Sequence, residues 1–271
     1  MNVPERFHFL LPFECDLVRL GASHDGGYVV PVNSLNSANS LISLGIATEW
    51  SFDSDFLQHR KDISYVACDR GSGFLVHSFS ALRGFLGNPL GPFQTIFASL
   101  RTTTEFLRLV PPIAVRKRRH FARKWVRAAI QDQRRDTTVP ELLSILRSDR
   151  AVFIKMDIEG GEYEVMPEIA RIERDKPGTF VGLCIEFHDI ADREKDFIRV
   201  VTEIQSAFAI VHIHVNNCVS VVTDFPSVIE LTFAPKETVG TGRVLNFPRT
   251  GLDYPNDSLV PDISLEFWSP V

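Results

Sequence analysis

The sequence predicts an α/β fold with a largely parallel sheet, and three observations carry that prediction. Several runs rich in β-branched residues are almost continuously apolar, as strands are when helices cover both faces of their sheet. Segments with helical spacing lie between those runs. Several runs end abruptly in glycine and acidic residues, at the end of an open α/β sheet where ligands bind. A chain of 271 residues has room for one large domain, and 44% hydrophobic with 23% charged residues suits an ordinary soluble protein.

Tyr28–Val32, Leu41–Leu44, Ile63–Cys68, Ala151–Met156, Phe180–Phe187, Ile210–Val215 and Val228–Ala234 read as strands. Helices are expected at Ser51–His59, after Gly161, and at Val139–Arg147 with Thr137 or Thr138 as N-cap. Another is expected at Asp192–Ala207, where Phe197, Val200, Val201 and Ile204 recur at helical spacing. Residues 84–136 read as a helical insertion or lid. Gly84, Gly87, Pro89, Gly91 and Pro92 punctuate its start, Phe93–Leu109 could form a helix, and Pro111-Pro112 precede a basic stretch. The tail from Gly240, with Pro248, Pro255, Pro261 and Pro270, reads as an irregular wrap over the core.

Charge is unevenly spread. Nine Lys/Arg and one acid fall between Arg116 and Arg135, which leaves 20 basic and 33 acidic residues elsewhere. Ala122, Trp125, Val126, Ala129 and Ile130 form an apolar stripe if this segment is helical, with Arg116, Arg119, Arg123 and Arg127 on another face. Such a helix suits an anionic membrane surface or an anionic substrate, or docks on the chain's own acidic body. Specific nucleic-acid binding is not expected. Cys15, Cys68, Cys184 and Cys218 are far apart with no Cys-x-x-Cys pair, which argues for free thiols in a reducing compartment. The start lacks a basic region followed by an apolar run, and no stretch has the length of a membrane helix. A cytoplasmic protein, or one held peripherally at a membrane, is the expectation.

The chemistry concentrates at strand ends. Lys155-Met-Asp157-Ile-Glu159-Gly160-Gly161-Glu162 follows a strand, and the two-residue period puts Asp157 and Glu159 on one side, available to one ligand or metal. Leu44-Gly45-Ile-Ala-Thr-Glu49 follows another strand, and the next strand ends in Asp69. In nucleotide-binding sheets such a glycine permits close ligand approach and such an acid hydrogen-bonds ribose. No Gly-x-Gly-x-x-Gly is present, which disfavours NAD or FAD and favours a nucleoside without phosphates, S-adenosylmethionine being the common one. Asp25-Gly26-Gly27 is a turn signal before a strand. Glu186 with His188, and His212, His214 and Asn216, alternate at the ends of two further strands, and as adjacent strand ends beside Asp157 and Glu159 they are expected to form one polar cluster.

These residues carry a resemblance to the FkbM-like S-adenosylmethionine-dependent methyltransferases, including the group related to methyltransferase-like protein 24. Arg19-Leu-Gly21, Asp25-Gly26-Gly27-Tyr28-Val, Ser43-Leu-Gly45-Ile, Trp50-Ser-Phe52-Asp53, Lys155-Met-Asp157-Ile-Glu159-Gly-Gly-Glu162-Tyr, His214-Val-Asn216-Asn217 and Glu230-Leu-Thr-Phe233 are the matching stretches. The resemblance implies a Rossmann-like class I methyltransferase domain, with a mostly parallel seven-stranded sheet and helices on both faces. The cofactor would sit at Gly45, Glu49 and Asp69, with Asp25 and Gly26 nearby. It also implies transfer of a methyl group to a hydroxyl of a sugar or other small molecule, in some members with a divalent metal such as Mg²⁺. His188 and His214 are then candidate bases and Asp157 a third catalytic residue. Glu159, Glu186 and Asn216 would bind substrate, and Asp157 with Glu186 would hold any metal. Asp53 and Gly161 stand where similar sequences often have glutamate and alanine. Two other readings stay open: a metal-dependent nucleotide-sugar glycosyltransferase using Asp157 and Glu159, and a non-catalytic membrane- or partner-binding protein on a methyltransferase scaffold.

Overall fold

The computed structural model describes residues 1–47, 49–69, 119–122, 124–219, 221 and 223–268. Leu17–Leu20 (β1) and Tyr28–Pro31 (β2) pair as an antiparallel hairpin around the Asp25-Gly26-Gly27 turn. Val32–Ser37 (α1) leads into Ser40–Leu44 (β3), and Ser51–His59 (α2) into Ser64–Cys68 (β4). Arg119–Ala122 (β5) precedes the short pair Trp125–Val126 (β6) and Asp136–Thr137 (β7). Then come Val139–Leu146 (α3), Val152–Met156 (β8), Glu162–Asp175 (α4), Phe180–Phe187 (β9), Glu194–Ile204 (α5), Phe208–Val215 (β10) and Ile229–Pro235 (β11). Asn246–Phe247 (β12) and Leu265–Glu266 (β13) pair in the tail.

The main sheet has the order β10-β11-β9-β8-β3-β4-β5. Strands β9 to β5 in that order are mutually parallel, while β11 runs antiparallel to both of its neighbours. The chain winds outward from β3 through β4 to β5, then crosses back to β8 on the other side of β3. The strand order reverses between β3 and β8, and at such a switch point the connections diverge and leave a crevice at the carboxyl ends. This is the Rossmann-like class I sheet the resemblance implies, with one reversed strand wedged between β9 and β10.

All five residues of β3 and of β8 are buried, as a sheet covered on both faces demands. One face carries Ile42, Leu44, Val66, Ile154, Met156, Leu183 and Ile185 and packs the apolar stripes of α3, α4 and α5. The other carries Leu41, Tyr65, Ala67, Phe153 and Cys184 against β2, α1 and α2. The N-cap of α3 is Thr138, whose side chain accepts the Glu141 amide. All four cysteines are free; burial pushes the Cys68 and Cys184 thiols up to about 12, where they are inert.

The helix expected over Arg116–Arg135 is absent from its described part. Arg119–Ala122 is the edge strand of the main sheet, in register with Tyr65–Cys68, and residues 127–135 are turns. An edge strand needs a partner on one side only, so polar side chains are tolerated there. The Asp136 carboxylate accepts the amides of Gln131 and Asp132, and such local side-chain bonds compete with helix. Residues 84–118, with the expected Phe93–Leu109 helix, lie outside the described residues.

Gly45 carries the closest approach in the sheet. Its φ is +70°, and a Cβ there would lie 1.5 Å from the Asp157 carbonyl oxygen. Gly178 has φ +81° but open space around it. Gly178→Ala is expected to cost about 1–2 kcal/mol from conformation alone, and Gly45→Ala clearly more, about 3 kcal/mol or beyond. Denaturant unfolding of both variants checks this; equal losses would show that the β3–β8 approach is not tight.

Candidate active site

The crevice at the switch point is built from the ends of β2, β3, β4, β8 and β9. On the β3–β4 side, the Asp69 carboxylate accepts the backbone amides of Ile46 (2.9 Å) and Ala47 (2.6 Å), closing the loop after Gly45. Glu49 accepts the Ser51 amide at 3.0 Å at the start of α2. Gly26 has φ +87°, and its missing side chain leaves room for Glu49. Gly45, Glu49, Gly26 and Asp69 therefore come together as expected, although the steric demand at Gly45 is set by Asp157 rather than by a ligand.

On the β8 side the alternation of Lys155 and Asp157 sends both side chains to one face. Lys155 is 6% exposed; its ammonium donates to the Gly45 carbonyl and lies 3.3 Å from Asp157. It also stands 5.1 Å above the Tyr28 ring. Tyr28 donates to Asp157 at 3.1 Å and lies 3.5 Å from Glu186. Burial, then Asp157 and Glu186, hold the Tyr28 phenol well above its ordinary value, so it remains a donor. Neither Lys155 nor Tyr28 was among the expected site residues, although their positions in the Lys-x-Asp and Gly-Tyr-Val stretches place them at strand ends.

His188 is the centre of the acidic cluster. Its Nδ1 lies 3.2 Å from Glu162, and its Nε2 3.4 Å from Glu186, 3.4 Å from Glu159 and 3.8 Å from Asp157. Burial would lower its pKa, but hydrogen bonds to Glu162 and Glu186 prevail and carry it to about 11. Burial raises Glu186 to about 7, with Asp157 and Glu230 adding to the rise and His188 opposing it. Asn216 donates to Glu186 at 2.9 Å. Asp157, Glu159 and His188 each place one ligand atom within 4.8 Å of the others; Glu159 is 84% exposed.

Two expected residues lie elsewhere. β9 and β10 are not neighbours, because β11 lies between them, and His214 faces Glu230 rather than Glu186. His214 is buried, 3.1 Å from Asp262 and 3.5 Å from Glu230. Burial would lower its pKa, but these two acids carry it to about 10, so it is a clamp on the tail and no proton acceptor near neutral pH. Asp25 accepts from Asn256 at 3.4 Å, and burial, with Asp157 and Glu230 adding to it, raises its carboxyl.

Residues 62–211 match the model of the methyltransferase FkbM domain, more than half of the chain. The chain belongs to the FkbM methyltransferase domain family. That membership sets aside the glycosyltransferase reading of Asp157 and Glu159. No curated protein matched the chain. Among solved structures it is similar to precorrin-6y C5,15-methyltransferase from Geobacter metallireducens, at 12% identity and TM-score 0.33 over 74% of this chain and 85% of that one. It is also similar to M. capricolum TrmK in complex with S-adenosyl-homocysteine, at 8% and 0.30 over 75% and 66%. A third is the 16S rRNA (adenine(1408)-N(1))-methyltransferase of Catenulisporales acidiphilia, at 10% and 0.34 over 81% and 98%. Among the described residues of this FkbM-domain chain, no helix is long and apolar enough to cross a membrane.

His188 and His214 hold their protons more tightly in the folded chain than at the ordinary value of 6.5. Their stabilisation is therefore complete below about pH 6.5 and is lost as pH rises toward 10 and 11. Thermal melts should fall through this alkaline range, and His188→Gln/His214→Gln should flatten the fall. An unchanged slope in the double variant would mean that neither imidazole is charged in the native state.

Proposed function

We propose that this FkbM-domain protein is an S-adenosylmethionine-dependent O-methyltransferase acting on a hydroxyl of a sugar or small metabolite. The observation that carries the reading is the division of the switch-point crevice. One half offers the Asp69-closed loop after Gly45, and the other offers Glu186, buried and poised near neutral. S-adenosylmethionine, when bound, supplies an electrophilic methyl group on a sulfonium. Methyl transfer to a hydroxyl forms a C–O bond, breaks the C–S bond and releases one proton. Glu186 is the group matched to receive that proton, since a base with pKa close to the working pH is the most effective. His188, held as an imidazolium, steadies the ionised Glu186 and is not itself the base. Tyr28 and Lys155 fix Asp157, which would hold the acceptor in line.

Asp69→Ala should weaken S-adenosylmethionine at least several-fold by calorimetry, with its grip on the loop and on ribose both removed. Turnover, assayed as acceptor-dependent release of S-adenosylhomocysteine, should rise with pH through about 7 in the wild type as Glu186 ionises. Glu186→Gln should lose that limb and at least about tenfold in rate. Cofactor binding without turnover on any hydroxyl acceptor would instead favour a non-catalytic scaffold.

A divalent ion would be held by Asp157, Glu159 and His188 rather than by Asp157 and Glu186 alone, and only by displacing the Nε2 proton that His188 carries in the metal-free chain, so its binding would release a proton and strengthen with rising pH. A mixed nitrogen and oxygen donor set suits Mn²⁺ better than Mg²⁺, and would supply charge that draws the acceptor oxygen toward its deprotonated form. Mn²⁺ titration followed by electron paramagnetic resonance should show binding that Asp157→Asn abolishes; full turnover after chelation would remove the ion from the reaction.

A further inference from the structure

Glu162 opens α4 but does not serve its own helix. Its carboxylate is completely buried, although an acid in the first turn favours a helix equally well from the surface. One oxygen, Oε1, turns back to accept the Ile158 amide at 3.0 Å and meets His188 Nδ1 at 3.2 Å. The other, Oε2, is buried with no hydrogen-bond partner among the described residues. Burying a carboxylate in this way costs free energy, and an apolar residue in such a place is often at least as stable. The acid is therefore explained by what it holds.

What it holds is the ring of His188. With Nδ1 fixed on the Glu162 side, Nε2 faces Glu186 at 3.4 Å, Glu159 at 3.4 Å and Asp157 at 3.8 Å. The ring turned over would present carbon in both places. The main chain of His188 is held from the same turn of α4, because the Tyr163 hydroxyl donates to its carbonyl. Arg193 lies 3.9 Å over the Tyr163 ring and donates to the Gly160 carbonyl at 2.8 Å, which fastens the loop between β8 and α4. Two consecutive residues thus hold the ring and the backbone of one histidine.

We propose that Glu162 is the positioning residue of this site, setting the His188 ring so that Nε2 directs its hydrogen at the crevice acids. The inference rests on the methyltransferase reading above, in which His188 steadies Glu186, and adds the residue through which that role is enforced. Glu162 is sealed from solvent, so it touches neither cofactor nor acceptor and acts only through the imidazole. An acid on the remote nitrogen is how a functional histidine has its ring orientation fixed. Losing such an acid typically costs about 10–100-fold in activity.

NMR of the whole chain with nitrogen-15 histidine, saturated with S-adenosylhomocysteine, tests this. Below neutral pH both ring hydrogens of His188 should be protected from exchange with water. Glu162→Gln should shift the Nδ1 hydrogen upfield and speed exchange of the Nε2 hydrogen, on the side that Glu162 does not touch. Arg193→Ala, which frees the Gly160 carbonyl but keeps the Glu162 contact, should leave both hydrogens in place. If Glu162→Gln does not fold, Glu162→Asp carries the same comparison, because it withdraws the carboxylate from Nδ1. In acceptor-dependent release of S-adenosylhomocysteine, Glu162→Gln should lose about tenfold or more in kcat with KM for S-adenosylmethionine unchanged. The same substitution should add no loss in a His188→Gln background. Unchanged ring hydrogens in Glu162→Gln, equal changes in Arg193→Ala, or additive losses in the double variant would overturn the positioning role. A wild type that neither binds S-adenosylhomocysteine nor turns over would instead overturn the methyltransferase reading, while the ring hydrogens of the unsaturated chain still decide the role of Glu162.

Discussion

The Lys155 ammonium is almost wholly out of water, so its charge has to be answered by protein groups, and the groups that answer it belong to three different strand ends. Its bond to the Gly45 carbonyl ties β8 to the loop after β3, its pairing with Asp157 fixes the first acid of the crevice, and its seat over Tyr28 brings in β2. Removing one partner of a buried ion pair typically costs about 3–5 kcal/mol, because the other charge stays buried. Gly45 can lie against Asp157 only without a Cβ, so one ammonium and one glycine together determine how close the two halves of the sheet come.

Charge is then sorted across the crevice. One oxygen of Asp69 accepts two backbone amides, which shapes the loop after Gly45. The β8–β9 side gathers Asp157, Glu159, Glu162 and Glu186 around a single imidazole. Such a crowd of acids is tolerable only if some of it is neutralised, and the structure does this in two ways. His188 keeps its proton, and Glu186 ionises only near neutral pH.

Six of the seven main strands were legible because they are buried on both faces and therefore apolar almost throughout. The seventh, Arg119–Ala122, was not, since an edge strand needs no apolar run and Arg119, with Arg116, Arg123 and Arg127 around it in sequence, imitates one face of a helix. The convergence of Asp157, Glu186 and His188 could be read from the ends of two strands that do adjoin, whereas Glu159 joins them from a turn with φ +54°, beyond the end of β8, where strand alternation no longer holds. His214 could not be placed in the same way: whether β9 and β10 adjoin depends on where β11 inserts, and that pairing is set by contacts remote in sequence. The contacts of Asn256 carried no local signal at all, because Glu230 and Asp25 lie 26 and 231 residues away.

The reversal of β11 has its own consequence. Because this strand begins beside Glu186 and ends where β10 starts, at the opposite end of the strands, the chain leaves it far from the crevice, near Ala207 and Glu14. Everything after it has to travel back along the sheet before it reaches Asp25. The β3–β4 side of the crevice is complete before that return journey starts, and the contacts of Asn256 with Asp25 and Glu230 are made last. The tail that makes this journey is no loose appendage: Phe247, Leu265 and Phe267 are buried in the same core as β10 and β11, so a change in the terminal segment reaches the packing of the sheet itself.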